Sequence, residues 1–261
     1  MARYLIEMTV NELRDALKTC RTAILPVGVV EQHGYHLPLG VDIHNAQEVI
    51  LRAGDRLDAI VAPTVPYCYS GGELLGTINV STQVFSLLVG DICAELARFG
   101  FENIVVVLGH AGTDNRIALK SALQMFLKRN PQYAHVSLSL VEVWNLSPTW
   151  LSYFRMKPES DFHAGEVETS LMLYWHPEQV RPQVVMDDPE TSRMMRSDQD
   201  WFEAAEKAVD HPFAIPRTYQ RKEIEVGVMG FPERANLALG EKVCGEMVEG
   251  LVDYVAFVNR R

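Results

Sequence analysis

"NIVVVLGHAGTDN", Asn103 to Asn115, decides how the chain reads. Ile104 to Leu108 are apolar at every position, so a strand there buries both faces, as strands of a covered parallel sheet do. Its valines and isoleucine suit a pleated backbone. The run stops at Gly109, and a helical pattern follows from Asn115 to Arg129, closed by Pro131. Strand, polar turn and helix make half of a βαβ unit, and ligands of such sheets gather at the carboxyl ends of the strands. His110 stands at that end.

The same pattern recurs outward in both directions. "TAILPVGVV" (Thr22 to Val30), "AIVAPTVPYC" (Ala59 to Cys68) and "HVSLSLVEVW" (His135 to Trp144) are further strand-like runs. Residues 42–57 place Val49, Ile50, Ala53 and Leu57 at helical spacing. "STQVFSLLVGDICAELARFG" predicts a helix with Ser81 as N-cap and Gly100 as its stop. After Trp144, "NLSPTWLSYFRMKPESDFHAGE" reads as a long loop at the active site. A helix is expected from about Val167 to Trp175, and a peripheral helix within Asp187 to Asp210. A C-terminal helix is expected from near Pro232 to about Asn259. No internal repeat, low-complexity tract or linker breaks the chain. The expectation is one α/β domain over residues 1–261, with a mostly parallel sheet flanked by helices.

Composition bounds the function. The 261 residues are 48% hydrophobic with a mean hydropathy of −0.03, enough to bury a full core. The formal net charge is −10, with 34 acids against 24 bases. An acidic surface argues against nucleic acid or an anionic membrane as partner and leaves a small molecule. Cys20, Cys68, Cys93 and Cys244 are far apart without a CxxC pair, which reads as reduced thiols of a cytoplasmic protein. The N-terminus carries Glu7, Glu12 and Asp15 and no apolar signal core.

Three clusters of acids and histidines fall at strand ends. In "VVEQHGYHLPLGVD" (Val29 to Asp42), Glu31 and His33 are spaced i, i+2 and project from one face of an extended backbone. Gly34, Pro38 and Gly40 let the chain fold back, so that Asp42 comes near them. His110 follows the buried strand, between Gly109 and Gly112. The third cluster, "DFHAGEVETS", contributes His163 and Glu168. Two carboxylates with two imidazoles suit Zn²⁺, Mn²⁺ or Fe²⁺ and are poor for Ca²⁺. Glu168 could complete a second metal site, with a bridging aspartate between the ions. On spacing alone, His36 or His44 could replace His33 or Asp42. His135, His176 and His211 lie outside the clusters and read as structural.

The clusters also carry a resemblance. "LPVGVVEQHGYHLPLGVD" closely resembles the N-terminal signature of the creatininase (creatinine amidohydrolase) family, Leu-Pro-x-Gly-x-x-Glu-Gln-His-Gly-x-His-Leu-Pro-Leu-x-x-Asp. "LGHAGTDN" resembles the family's second motif, and "HAGEVETS" matches its His-Ala-Gly-x-x-Glu-Thr-Ser motif. "GVMGFPERANLALGEK" resembles its C-terminal Gly-x-x-Gly-x-Pro run. The resemblance implies a parallel sheet wrapped by helices, often as a homohexamer, with one or two metal ions per subunit. It also implies hydrolysis of amide-type C–N bonds in small, often cyclic substrates. Carried over by position, Glu31, His33, Asp42 and His110 are metal ligands with Asp42 as the bridge, and Glu168 binds the second metal. His163 takes the place of the histidine that assists proton transfer. His36 supports the ligands, and His44 is not one.

Two departures stand out. Creatininase carries a glutamate two residues after the histidine of the second motif, where this chain has Gly112. The loop "YSGGELLGTINV" (Tyr69 to Val80) lacks the family's histidine and Phe-Pro pair. That loop lies near substrate in the family, so Ser70 and Glu73 are expected substrate contacts, and Trp144, Trp150 and Tyr153 are expected to wall the site. The expected function is a metal-dependent hydrolase that cleaves a C–N bond by a metal-activated hydroxide. The alternatives are ring opening of a cyclic diketone such as a diketo-inositol, or a non-enzymatic binding module on the same fold.

Overall fold

The apolar runs do pair, into a sheet whose order departs from chain order. The computed structural model describes residues 3–156 and 159–260. Along the chain come β1 (Arg3–Tyr4), α1 (Val10–Ala16), β2 (Thr22–Val27), α2 (Val41–Ala53), β3 (Ile60–Val61), α3 (Thr82–Phe99), β4 (Asn103–Leu108), α4 (Thr113–Arg129) and β5 (Ser137–Glu142). Then follow α5 (Pro148–Tyr153), α6 (Glu166–Trp175), α7 (Pro189–Ser197), β6 (Glu203–Glu206), β7 (Arg217–Gln220) and α8 (Leu237–Val258). Five strands form a parallel sheet in the order β1-β3-β2-β4-β5. From β2 the chain moves to β3 on one side and then crosses to β4 on the other. That reversal makes a topological switch point at the carboxyl ends of β2 and β4, where open α/β sheets bind ligands. The register aligns Val27 with Leu108 there.

Every residue of β2 and β4 is buried. Each fully buried Ile, Leu or Val stabilises the fold by roughly 1.5–3 kcal/mol. Helices α2, α6 and α8 pack together, and α3 packs on α4. The opposite directions of the crossovers place these groups on the two faces. Ser81 Oγ caps α3 by accepting the Val84 N–H, and Gly100 ends it at φ 106°, as the sequence implies. All four cysteines are free and buried. Among the described residues no helix is long and apolar enough to cross a membrane.

Four expectations are corrected. The strand expected at Ala59 to Cys68 shrinks to Ile60–Val61, because Pro63 and Pro66 have no N–H to give a ladder. Val65 keeps one isolated bridge to Val27. The loop after Trp144 contains α5, begun by Pro148 and capped by Ser147 Oγ, which accepts the Trp150 N–H at 3.0 Å; its residues 157 and 158 lie outside the described residues. The peripheral helix is shorter than expected, and β6, within "FEAAEK", pairs antiparallel with β7. Tertiary pairing there overrides the helix propensity of Ala and Glu. Finally, Pro232–Arg234 is a 3-10 turn, and α8 starts at Leu237 with Asn236 as its cap.

Candidate metal centre at the switch point

Beyond Val27 the chain leaves the sheet and carries Glu31 and His33 across the end of β2. Gly34 turns at φ 64°, and Gly40 precedes the first turn of α2, which holds Asp42. This turn can seat on the strand ends only because two glycines face it. A Cβ on Gly109 would lie 2.0 Å from the Asp42 carbonyl oxygen, and one on Gly28 would lie 2.8 Å from it. His110 follows Gly109 directly. From the opposite side, the first turn of α6 supplies Glu168. Helix N-termini favour such carboxylates.

The buried donors form two triads that share Asp42. In the first, His110 Nδ1 stands 3.1 Å from Glu31 Oε2 and 3.3 Å from Asp42 Oδ2. In the second, His33 Nε2 stands 3.7 Å from Glu168 Oε2 and 3.8 Å from Asp42 Oδ1. Each triad gathers its ligand atoms within 4.8 Å. Donors about 2.1 Å from one ion stand roughly 3.4 Å apart in a tetrahedral shell, so both spacings fit. A second observation agrees. Glu31 Oε2, His33 Nε2 and Asp42 Oδ2 are buried with no hydrogen-bond partner, which is costly unless something else binds them. The mixed oxygen and nitrogen set suits a divalent transition metal. His36 and His44 do not join it: His36 Nε2 meets Thr169 Oγ1 at 3.0 Å, and the His44 ring lies against His176.

The side-chain charges are strongly interdependent. Burial alone would raise the Glu31 carboxyl, but His110, His163 and His33 overcome it and hold it well below the usual range. Burial dominates at Asp42, which is pushed up to about 7 against the pull of His110 and His33. Burial opposes charge on His33, yet Asp42 and Glu168 raise it to about 9. His110 likewise lies well above the usual value, because Glu31 and Asp42 outweigh its burial. A dication would displace these protons.

Other groups fix the donors in place. Ser70 Oγ donates to Glu31 Oε1 at 2.6 Å, and His33 Nδ1 donates to the Glu31 carbonyl at 3.1 Å, leaving His33 Nε2 to face the second triad. Asn45 Nδ2 donates to Glu168 Oε1 at 3.2 Å, and the Ala164 N–H donates to Glu168 Oε2 at 2.7 Å. Ala164 is a non-glycine residue at φ 51°, a conformation that costs on the order of 1 kcal/mol or more. The strain sits between His163 and the helix that carries Glu168. His163 leans on His33, with ring centroids 4.2 Å apart, and its Nε2 donates to the Gln32 carbonyl at 2.9 Å. Burial and the neighbouring His33 lower its pKa, which favours the neutral ring, and with Nε2 donating, Nδ1 is the proton acceptor of that form.

A cavity opens above the donors. Glu31, Ser70, His110 and His163 line its floor, and Phe154, Phe162, Met195, Phe202 and Gln220 its wall. The wall expected from sequence is elsewhere. Trp144 and Trp150 are buried and pack on Phe154, and the Tyr153 hydroxyl donates to Glu166 Oε1 at 3.0 Å; none of the three lines the cavity. Glu73 is exposed, and its backbone N–H donates to Gln220 Oε1 at 2.7 Å. Gln32 was legible inside the Glu-Gln-His motif, and Asn45 from its place one turn after Asp42. Phe202 and Gln220 carry no sequence signal. At Gly112 a Cβ would lie 2.4 Å from His110 Nε2, so a side chain there would require the His110 ring to shift.

The creatininase family profile, described as creatinine amidohydrolase, matches residues 6–255. The chain is 30% identical to a creatinine amidohydrolase of Pseudomonas putida over 68% of its length and 73% of the relative's. It is 28% identical to a mycofactocin precursor peptide peptidase of Mycolicibacterium smegmatis, over 89% of this chain and 83% of that one. It is 27% identical to a 3-dehydro-scyllo-inosose hydrolase of Thermotoga maritima, over 97% and 81%. A solved mutant creatininase complexed with creatine superposes with a TM-score of 0.74 at 25% identity, covering 98% of both chains. A mutant of Zn-Zn type does so at 0.70 and 25%, over 98% and 97%. The chain belongs to the creatininase family, and these relatives are hydrolases of three different substrates.

Proposed function

We propose that this chain is a metal-dependent hydrolase that cleaves an amide-type C–N bond of a small substrate, with Glu31, Asp42 and His110 holding one divalent ion and His33, Asp42 and Glu168 the other. The observation that carries the reading is the pair of buried triads meeting at one aspartate beneath a cavity. Bound there, divalent ions would bring the pKa of a water from 15.7 toward about 7 and polarise a carbonyl oxygen. His163 Nδ1 would take a proton and pass it to the leaving nitrogen, its ring fixed by the Gln32 carbonyl. The apolar wall excludes bulk water from the reacting groups. Zn²⁺, Mn²⁺ and Fe²⁺ are the ions this donor set favours.

The cavity also bears on substrate. Among the described residues that line it no lysine or arginine occurs, while Glu31 and Asp200 do. A phosphate held away from the metal ions would meet no guanidinium or ammonium among these residues, which disfavours nucleotides. A neutral ring with hydrogen-bonding edges, met by the side-chain amides of Gln32, Gln199 and Gln220, suits it better. The same lining admits a cyclic polyol ketone, so C–C ring opening is the second reading; the inosose hydrolase relative aligns over 97% of the chain. We also propose a cytoplasmic homo-oligomer, with a hexamer expected on sizing with light scattering.

The test is to load the protein with Zn²⁺ or Mn²⁺ and screen cyclic amides, formamides, dipeptides and cyclic ketones. His110→Ala should lose bound metal by elemental analysis and lose activity by more than about 100-fold, the upper range for residues that merely support a ligand. A fully active, metal-free His110→Ala protein would end the reading.

A further inference from the structure

A second cluster of metal-binding side chains lies outside the cavity, on the far side of α2. His44 and Glu48 are spaced i, i+4 and share one face of that helix. His176 ends α6, where Pro177 stops the helix. Its Nε2 reaches Glu48 Oε1 at 3.0 Å, and the His44 and His176 rings lie with centroids 4.5 Å apart. All three residues offer a ligand atom within 4.8 Å of the others. Glu48 is buried, whereas both imidazoles are half-buried.

The geometry points to a separate divalent transition-metal site at His44, Glu48 and His176, with its remaining coordination position open to solvent. Two imidazoles and one carboxylate suit zinc and its neighbours and leave room for water; magnesium and calcium prefer all-oxygen shells. The groups behind the three donors support the assignment. Ligating histidines typically give their other ring N–H to an acceptor, and ligating carboxylates are themselves held. Glu178 Oε1 stands 3.6 Å from His176 Nδ1, and Arg52 stands 3.5 Å from the second oxygen of Glu48. Gln179 lies beside the His44 side chain. Arg52 is in turn laid over the Tyr174 ring at 4.9 Å.

Such an ion would join α2 to the end of α6. These helices carry Asp42 and Glu168 at their N-termini, so the site ties together two supports of the catalytic floor without entering it. The inference is independent of the proposed hydrolysis.

The experiment strips the purified protein with chelator, reloads it with Zn²⁺, removes excess by gel filtration and counts ions per chain. Wild type should retain one more ion than His176→Gln, and the isosteric Glu48→Gln should show the same loss. His110→Gln should lose ions from the cavity yet keep this one, and zinc should raise its unfolding temperature but not that of a His110→Gln/His176→Gln protein. Anomalous diffraction at the zinc edge should give a peak beside His176 Nε2. Equal ion counts in wild type, His176→Gln and Glu48→Gln, with no such peak, would overturn the site and mark the cluster as an ion-pair network alone. A reloaded wild type that holds an ion at this site and none in the cavity would instead count against the proposed hydrolase.

Discussion

The floor of the cavity and its wall are built in opposite ways. Floor donors stand at the ends of β2 and β4 and on the first turns of α2 and α6, directly over the main core. Glu31, His33 and Glu168 are each held by a further polar group, as Ser70 holds Glu31 and Asn45 holds Glu168. The wall comes from a separate, smaller apolar cluster of Met195, Ile224 and Met229, with Leu74, Phe162 and Phe202 packed against it. It is tied to its surroundings through backbone groups, as where Met229 bonds Phe162 and His163 and where Asp187 accepts from the Val226 and Gly227 N–H groups. Chemistry that depends on donor spacing of a few tenths of an ångström needs the rigid arrangement. A wall that only excludes water and shapes the substrate can be rebuilt without moving a donor, which suits a family whose named relatives act on creatinine, a peptide and an inosose.

The largest effect expected of this division comes from a residue that touches no ligand atom. Gly109→Ala places a Cβ 2.0 Å from the Asp42 carbonyl and 3.0 Å from the Ala46 nitrogen. Both contacts are backbone, so the first turn of α2 must move and take Asp42 with it. Overpacking of this kind costs about 1–3 kcal/mol, which a domain of this size survives. The chain should fold, by circular dichroism, while losing both ions by elemental analysis and more than about 100-fold in activity. Retention of both ions by a folded Gly109→Ala protein would break the claim that the floor is rigid.

The sequence made the floor legible and hid the wall, for a physical reason. A fully apolar run ending in Gly-His states both a buried strand and a group at its carboxyl end, so His110 was placed by local pattern alone. The spacing of Glu31, His33 and Asp42 could not separate them from His36 and His44. The family resemblance made that separation; in the fold, α2 turns His44 toward His176 and Asn45 toward the Gly109 carbonyl. The wall is assembled from residues far apart in the chain whose neighbours look ordinary. "FEAAEK" reads as helix until Arg217–Gln220 pairs with it, and Ser147-Pro148 reads as loop until the cap bond is seen. The aromatic residues Trp144 and Trp150 sit in the right loop, but their rings pack inward against Phe154. Alternation patterns specify an element and its buried face; they do not specify which distant element covers it.

A smaller effect separates the two triads within the floor. Asn45 Nδ2 spans Glu168 Oε1 and the Gly109 carbonyl, at 3.2 and 3.3 Å, and Asn45 makes no hydrogen bond to the side chains of Glu31, Asp42 or His110. Asn45→Ala should therefore weaken one ion by about 10–100-fold and spare the other. Titration with Mn²⁺ should show one tight and one weakened site, with activity restored at high metal. Equal weakening of both ions would mean that the triads act as one rigid unit through Asp42.

The smallest effect belongs to the wall and sharpens the comparison from its other side. Phe202 lines the cavity, is packed in the minor cluster, and lies near Gly71, where a Cβ would meet its ring at 3.2 Å. It contributes no atom to either triad and no hydrogen bond to a donor. Truncating an apolar contact with substrate changes discrimination by about 10–200-fold at most, and that loss falls on binding if the ring touches substrate equally in the ground and transition states. Phe202→Ala should raise KM about tenfold, change kcat little, and widen the range of ring sizes accepted, with both ions retained. A fall in metal content in Phe202→Ala would show that the wall also holds the floor in place. A fall in kcat at unchanged KM would show that the ring acts only on the transition state, for which excluding water around His163 is the available route.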